Sequence, residues 1–144
     1  TDALVVNADS MQVYRDLRVL SARPSPEEEA LAPHRLYGHV DGAVNHSVAR
    51  YVEDAGRLVW EARGAGRRLI LVGGTGLYFK GLLEGLSDIP PVPDAVRDTV
   101  RRSAEGVETP ELHARLLRLD PRTGETLRPS DRLRVLRALE VHAA

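Results

Sequence analysis

Two runs of unbroken hydrophobicity, Ala3-Leu4-Val5-Val6 and Leu69-Ile70-Leu71-Val72, constrain this chain more than any other feature. A strand with one wetted face alternates apolar and polar residues, whereas four apolar residues in succession ask for cover on both faces, as in a parallel sheet flanked by helices. Parallel strands need a long crossover, usually a helix. The intervening sequence supplies one: Val48, Tyr51, Val52, Ala55, Leu58, Val59 and Ala62 recur at three- and four-residue steps, with Ser47 ahead of them as an N-cap. A helix is therefore expected over residues 47–65.

The second run leads into Gly73-Gly74-Thr75-Gly76, after which Leu77 to Leu83 resumes a helical pattern. That is the signature of a strand, a glycine turn and a helix N-terminus. After Gly85 the character changes. Ile89-Pro90-Pro91-Val92-Pro93 breaks the pattern, and short helices are expected at 94–104, 110–119 and 131–142. Thr109 before Pro110 and Asp120 before Pro121 read as caps followed by a first-turn proline. No strand candidate follows Val72, so an α/β half is expected to give way near residue 90 to a helical half.

Composition narrows the chemistry. With no cysteine among 144 residues, disulfides, thiol nucleophiles, iron–sulfur clusters and Cys-ligated zinc are excluded. A formal net charge of −1 argues against a uniformly basic nucleic-acid binder. Among the 20 basic residues Lys80 is the only lysine. Arginine suits phosphate and stacked bases, but its scatter along the whole chain fits a compositional bias better than a patch. No apolar run approaches the roughly 18–20 residues of a membrane helix, and the first residues lack a basic region followed by an apolar one. The expectation is a protein of the cytoplasm with no membrane association.

At the carboxyl end of the first run lies Asn7-Ala8-Asp9-Ser10-Met11-Gln12-Val13-Tyr14-Arg15. Open α/β sheets bind ligands at that edge. If the two strands are parallel, Asp9 and the glycine turn reach it together. Asp9 reads from position alone as a turn or cap residue or as a functional carboxylate. The glycines read as a tight turn with positive φ, or as a cradle of backbone amides and a Thr75 hydroxyl facing an anion. The turn matches neither G-x-x-x-x-G-K-[ST] nor G-x-G-x-x-G.

Other clusters are discounted. His34, His39 and His46 match no helical metal motif, and no metal ligand is assigned there. No G-x-S-x-G elbow exists. Glu27-Glu28-Glu29 reads as the solvated first turn of a helix. Arg134 and Arg137, three apart, share a face of the last helix, where pairing with Asp131 and Glu140 is preferred over a phosphate clamp.

Taken in order, Asp9-Ser10-Met11-Gln12-Val13-Tyr14-Arg15, Ala22-Arg23-Pro24, Pro33-His34-Arg35-Leu36, Gly73-Gly74-Thr75-Gly76-Leu77-Tyr78 and residues 131–141 resemble the tRNA dimethylallyltransferase (tRNA isopentenyltransferase) family. The resemblance covers nearly the whole chain. It implies transfer of a dimethylallyl group from dimethylallyl diphosphate to N6 of adenosine 37 in tRNA, with Mg²⁺ present and diphosphate released. It implies a P-loop-kinase-like α/β fold, divided here into an incomplete core over 1–88, a helical insertion over 89–130 and a helix returning to the core over 131–144. The expected partner is the anticodon stem-loop, and the full-length protein is expected to be a monomer.

By the same resemblance Asp9 matches the carboxylate that contacts the target adenine and acts as general base. Ser10, Met11 and Gln12 complete the base-reading segment, and Thr75, Arg97 and the segment Leu133, Arg134, Val135, Leu136 and Arg137 match tRNA contacts. Adenosine 37 must leave its stack to reach such a site. The family's nucleotide-type P-loop, which carries the diphosphate and the Mg²⁺ ligand, lies upstream of Asp9 and outside this sequence, and further helical sequence follows at the other end. The chain is thus expected to be an incomplete core segment with an exposed apolar sheet face. The alternatives are an inactive RNA-binding remnant and an isopentenyltransferase acting on free adenine nucleotides.

Overall fold

The computed structural model of the protein describes residues 3–87, 89 and 91–144. Asp88 and Pro90, which fall in the expected proline-rich break, lie outside the described residues. The chain divides into two compact units, Thr1–Ser87 and Asp88–Ala144.

The first unit runs β1 (Ala3–Asn7), a 3₁₀ turn (Arg15–Leu17), α1 (Pro26–Glu29), β2 (His34–Arg35), α2 (Val48–Gly64), β3 (Arg68–Val72) and α3 (Gly76–Glu84). Its sheet is parallel throughout, in the order β2-β1-β3. Sequence reading finds β1 and β3 and misses β2. Two residues, one histidine and one arginine, carry no hydrophobic signal, and β2 exists because β1 offers an open hydrogen-bonding edge, with Val5 N donating to Pro33 O at 2.9 Å. β1, in the middle, is covered on both faces. β3 is not: Ile70 and Val72 are each about half exposed, 49% and 47%, so the doubly buried strand expected there is covered on one side only.

α2 falls where its periodicity places it, and the Ser47 hydroxyl accepts from Arg50 N at 3.3 Å as the expected cap. Its buried stripe meets α3 through Tyr51 and Tyr78, whose rings stack at 3.8 Å and 7° in a core shared with Ala8, Val13, Val40 and Ala55. α1 forms on the acidic triplet behind a reciprocal capping box of Ser25 and Glu28. Glu29 is more than solvated surface, because it lies 3.6 Å from Arg18 and 4.0 Å from Arg23.

The second unit holds α4 (Asp94–Ser103), α5 (Thr109–Leu119), α6 (Pro121–Thr126) and α7 (Arg132–His142) around Ala104, Leu112, Leu116, Val135 and Leu139. Asp120 and Asp131 cap α6 and α7 through Thr123 N and Arg134 N. Thr109 does not cap α5. The helix starts one residue earlier than expected, with Glu108 in the cap position and no side-chain cap. α7 packs on α4 and α5 within this unit. No helix among the described residues is long and apolar enough to cross a membrane.

Candidate functional site

The parallel register pairs Asn7 with Val72, so the two strands end level and the segments that follow them meet. Ala8 N donates to Val72 O at 2.7 Å and Thr75 N donates to Ala8 O at 3.1 Å, which continues the ladder one step beyond the sheet. Gly73 is required by close approach. A Cβ there would lie 2.2 Å from the carbonyl carbon of Ala8 and 2.6 Å from Asp9 N. This corrects the expectation of positive φ in the turn, since Gly73, Gly74 and Gly76 are absent from the glycines with that conformation.

Asp9 is set by its neighbours. The side chain of Asn7, wholly buried at the strand end, accepts from Asp9 N at 2.9 Å and donates to Asp9 O at 2.9 Å and to Leu36 O at 3.0 Å. Asp9 Oδ1 in turn accepts from Met11 N at 2.8 Å and Gln12 N at 3.3 Å. That is the turn-capping role that position alone suggests. It leaves Oδ2 without a hydrogen-bond donor among the described residues, on the side where Gly74 lacks a side chain. One oxygen of the carboxylate thus holds the turn and the other is presented at the edge.

Thr75 stands at the N-cap of α3 but does not cap it. Its hydroxyl accepts from Ser10 N at 2.9 Å and donates to Ser10 Oγ at 3.2 Å, which locks the two loops together. Met11 projects outward, 52% exposed. Gln12 turns its amide to Ser21 O at 2.9 Å and Ala22 O at 3.3 Å. Among the described residues, Ala22 and Leu36 are the non-glycine residues with positive φ, 51° and 62°, a conformation costing an L-residue about 1–2 kcal/mol. Each has its carbonyl held by a carboxamide, Ala22 by Gln12 and Leu36 by Asn7. Asn7 was missed as a site residue. Its signal was a fully polar amide directly after four strand residues, where a buried polar group must find partners.

Tyr78 lies behind this edge. Burial, and then the charges of Tyr14 and Asp9, push its hydroxyl up to about 12, so it remains a neutral donor. Asp9 belongs to no cluster of three or more histidines and carboxylates among the described residues. With one oxygen committed to the turn, it does not make a Mg²⁺ cage, and the residues of this edge do not by themselves fit that ion.

The remaining expected residues lie in the second unit. Arg97, on α4, pairs with Asp94 at 2.7 Å. On α7, Leu133 is 83% exposed, and Arg134 and Arg137 are exposed and paired with Asp131 and Glu140 at 3.5 Å each, the pairing preferred from charge. Val135 is wholly buried in the helical core and has no surface to offer a ligand, and Leu136 packs against the same core. Within that five-residue segment the exposed positions are Leu133, Arg134 and Arg137.

Residues 12–144 match the family model described as IPP transferase. A tRNA dimethylallyltransferase of Methylobacterium nodulans is 70% identical over 98% of this chain, which covers 46% of that relative. The full-length tRNA isopentenylpyrophosphate transferase of Bacillus halodurans is 33% identical with a TM-score of 0.57, over 96% of this chain and 46% of that one. A eukaryotic dimethylallyltransferase solved while acting on tRNA is 26% identical with a TM-score of 0.76, over 96% of this chain and 35% of that one. The chain spans about half the length of the curated relatives it matches. A match running from Gln12 to the last residue, on a fold that brings Asp9 and the glycine turn to one sheet edge, decides the assignment: the chain belongs to the IPP transferase family.

Proposed function

We propose that this chain is the adenosine-reading segment of a tRNA dimethylallyltransferase. The protein containing it would transfer a dimethylallyl group from dimethylallyl diphosphate to N6 of adenosine 37. The observation that carries this reading is the state of Asp9, whose Oδ1 is held by Met11 N and Gln12 N while Oδ2 remains available at the sheet edge. An exocyclic amine is a weak nucleophile. A fixed carboxylate accepting its N–H raises electron density on nitrogen as the N6–C1 bond forms and the C1–O bond to diphosphate breaks, and it takes the proton that N6 must lose. Asn7 acts as a positioning residue for that carboxylate, and Thr75 and Ser10 fix the loop that carries it.

In this reading Mg²⁺ would be held with the diphosphate and would offset its charge, while the proton of N6 goes to Asp9. The anticodon stem-loop is the proposed RNA, docking on exposed arginines of the helical unit, in a cytoplasmic protein that acts as a monomer. The test grafts this chain in place of the matched residues of the Methylobacterium nodulans relative. Labelled dimethylallyl diphosphate, Mg²⁺ and a stem-loop with adenosines at 36, 37 and 38 are supplied. Transfer is expected, and it should be lost in Asp9→Ala. No transfer with Asp9 intact, or undiminished transfer in Asp9→Ala, removes the proposal.

A further inference from the structure

Two of the histidines discounted in the sequence come together. His39 and His46 both direct Nε2 at one oxygen of Asp54, at 3.5 Å and 3.3 Å from Oδ2, and the three ligand atoms all lie within 4.8 Å of one another. Their sequence separation hides this. His39 and His46 lie in the loop after β2, and Asp54 is in the second turn of α2, so only the fold unites them. The backbone is anchored at both histidines. Val40, next to His39, exchanges backbone bonds with Val13 and Arg15, and His46 N donates to the Tyr14 hydroxyl at 3.2 Å.

We infer that His39, His46 and Asp54 form a binding site for a divalent transition-metal ion of the zinc class, tying the loop to α2. The donor set points to the ion: two imidazoles and a carboxylate suit zinc and its neighbours, whereas Mg²⁺ and Ca²⁺ prefer all-oxygen sites. The spacing agrees as well. Tetrahedral ligands at about 2.0–2.1 Å from zinc stand roughly 3.3 Å apart, close to both imidazole-to-carboxylate separations. The two imidazole nitrogens lie within 4.8 Å of each other, and a turn of His39, whose side chain is 29% exposed against 4% for His46, would bring them to the same spacing.

The outer partners of a metal site are also in place. Asp54 Oδ1 accepts from Arg57, which leaves Oδ2 to face the imidazoles. His46 Nδ1 lies 3.5 Å from the Tyr78 hydroxyl, so the ring is held from its far side. The cluster opens onto a concavity lined also by Asp41, Arg50 and Glu53, with room for a fourth, solvent ligand. Nothing in the proposed prenyl transfer uses these three residues, so this site stands or falls separately.

The test titrates the 144-residue chain, stripped by a chelator, with Co²⁺ and then Zn²⁺. One equivalent of Co²⁺ should give the intense visible bands of a four-coordinate ion, displaced by one equivalent of Zn²⁺. His39→Gln and Asp54→Asn should each weaken binding by about tenfold or more, while His34→Gln binds normally. Should a variant fold poorly, ring-nitrogen NMR of the unsubstituted chain decides: Zn²⁺ should move His39 and His46 and leave His34, His113 and His142 in place. Absence of saturable uptake, equal uptake in both cluster variants, or ring shifts spread over all five histidines would overturn the inference.

Discussion

The backbone amide of Ser10 donates to the hydroxyl of Thr75 at 2.9 Å, across 65 residues of sequence. Thr75 occupies an N-cap and gives up the cap to make this bond. The relationship joins the Asp9 loop to the glycine turn more specifically than the strand ladder alone, because it fixes side chain to backbone beyond the last strand residues. Thr75→Val keeps the shape but leaves a part-buried N–H without its acceptor, at a cost of about 1–3 kcal/mol. Thr75→Ser should keep most of the stability. Equal melting temperatures for the two variants would show that the bond does not hold the loops.

Gly73 and Gly74 are adjacent yet should respond differently. A methyl group at Gly73 meets the backbone of Ala8 and Asp9, which cannot swing aside, whereas at Gly74 the nearest atom is Asp9 Oδ2 at 3.8 Å, an ordinary contact. Gly73→Ala is expected to destabilise by about 1–3 kcal/mol and to displace the Asp9 loop. Gly74→Ala is expected to melt like the unsubstituted chain and to lower only RNA modification, if a base occupies the space beside Oδ2. Chemical denaturation of both variants separates these outcomes, and a larger loss of stability in Gly74→Ala would contradict the backbone clash.

Most of the architecture was legible because it rests on periodicity and caps. β1, α2, β3 and α3 follow from continuous apolar runs, a helical stripe and a glycine turn, and Ser47 and Asp120 cap where their residue types predict. β2 was invisible, since two polar residues become a strand only by finding the free edge of β1. The Asp9 edge was legible as a place, because parallel strands must end together. The turn-capping by Asp9 was legible too; what Gln12 and Thr75 do there was not, since hydrogen bonds such as Gln12 to Ser21 and Thr75 to Ser10 depend on loops whose paths no local pattern records. The burial of Val135 was readable in part from the apolar stripe of α7, and it divides a segment that motif matching treats as one.

Tyr51 presents a further test through its unpartnered hydroxyl. The ring is wholly buried against Tyr78, and its oxygen has no hydrogen-bond partner among the described residues. Burial, followed by the charges of Tyr78 and Tyr37, pushes its ionisation from 10.0 up to about 12. An acid group raised in the folded state contributes stability that is present below its unfolded value and is lost as pH rises through the folded one. Stability should therefore fall between pH 10 and 12, and Tyr51→Phe should flatten that decline. At neutral pH the same substitution removes an unsatisfied group and should be neutral or stabilising by up to about 1 kcal/mol. A marked loss at neutral pH would mean that the hydroxyl has a partner.

Among the arginines expected to meet RNA, Arg134 permits the cleanest measurement. Its side chain is 75% exposed, and its partner Asp131 already caps α7 through the backbone, so removing the guanidinium leaves the helix start intact. Arg137 differs, because its partner Glu140 is 3% exposed and depends on Arg101 and Arg137 for compensation. Each phosphate neutralised contributes roughly 0.7–0.9 to the slope of log affinity against log salt. If the exposed face of α7 grips an anticodon stem-loop, Arg134→Ala should lower that slope by about this amount with no change in melting. Arg137→Ala should lower it similarly and also destabilise the helical unit, since a buried carboxylate loses one of two cations. Fluorescence anisotropy of a labelled stem-loop across a salt series reads both effects, and an unchanged slope in Arg134→Ala would place the RNA elsewhere.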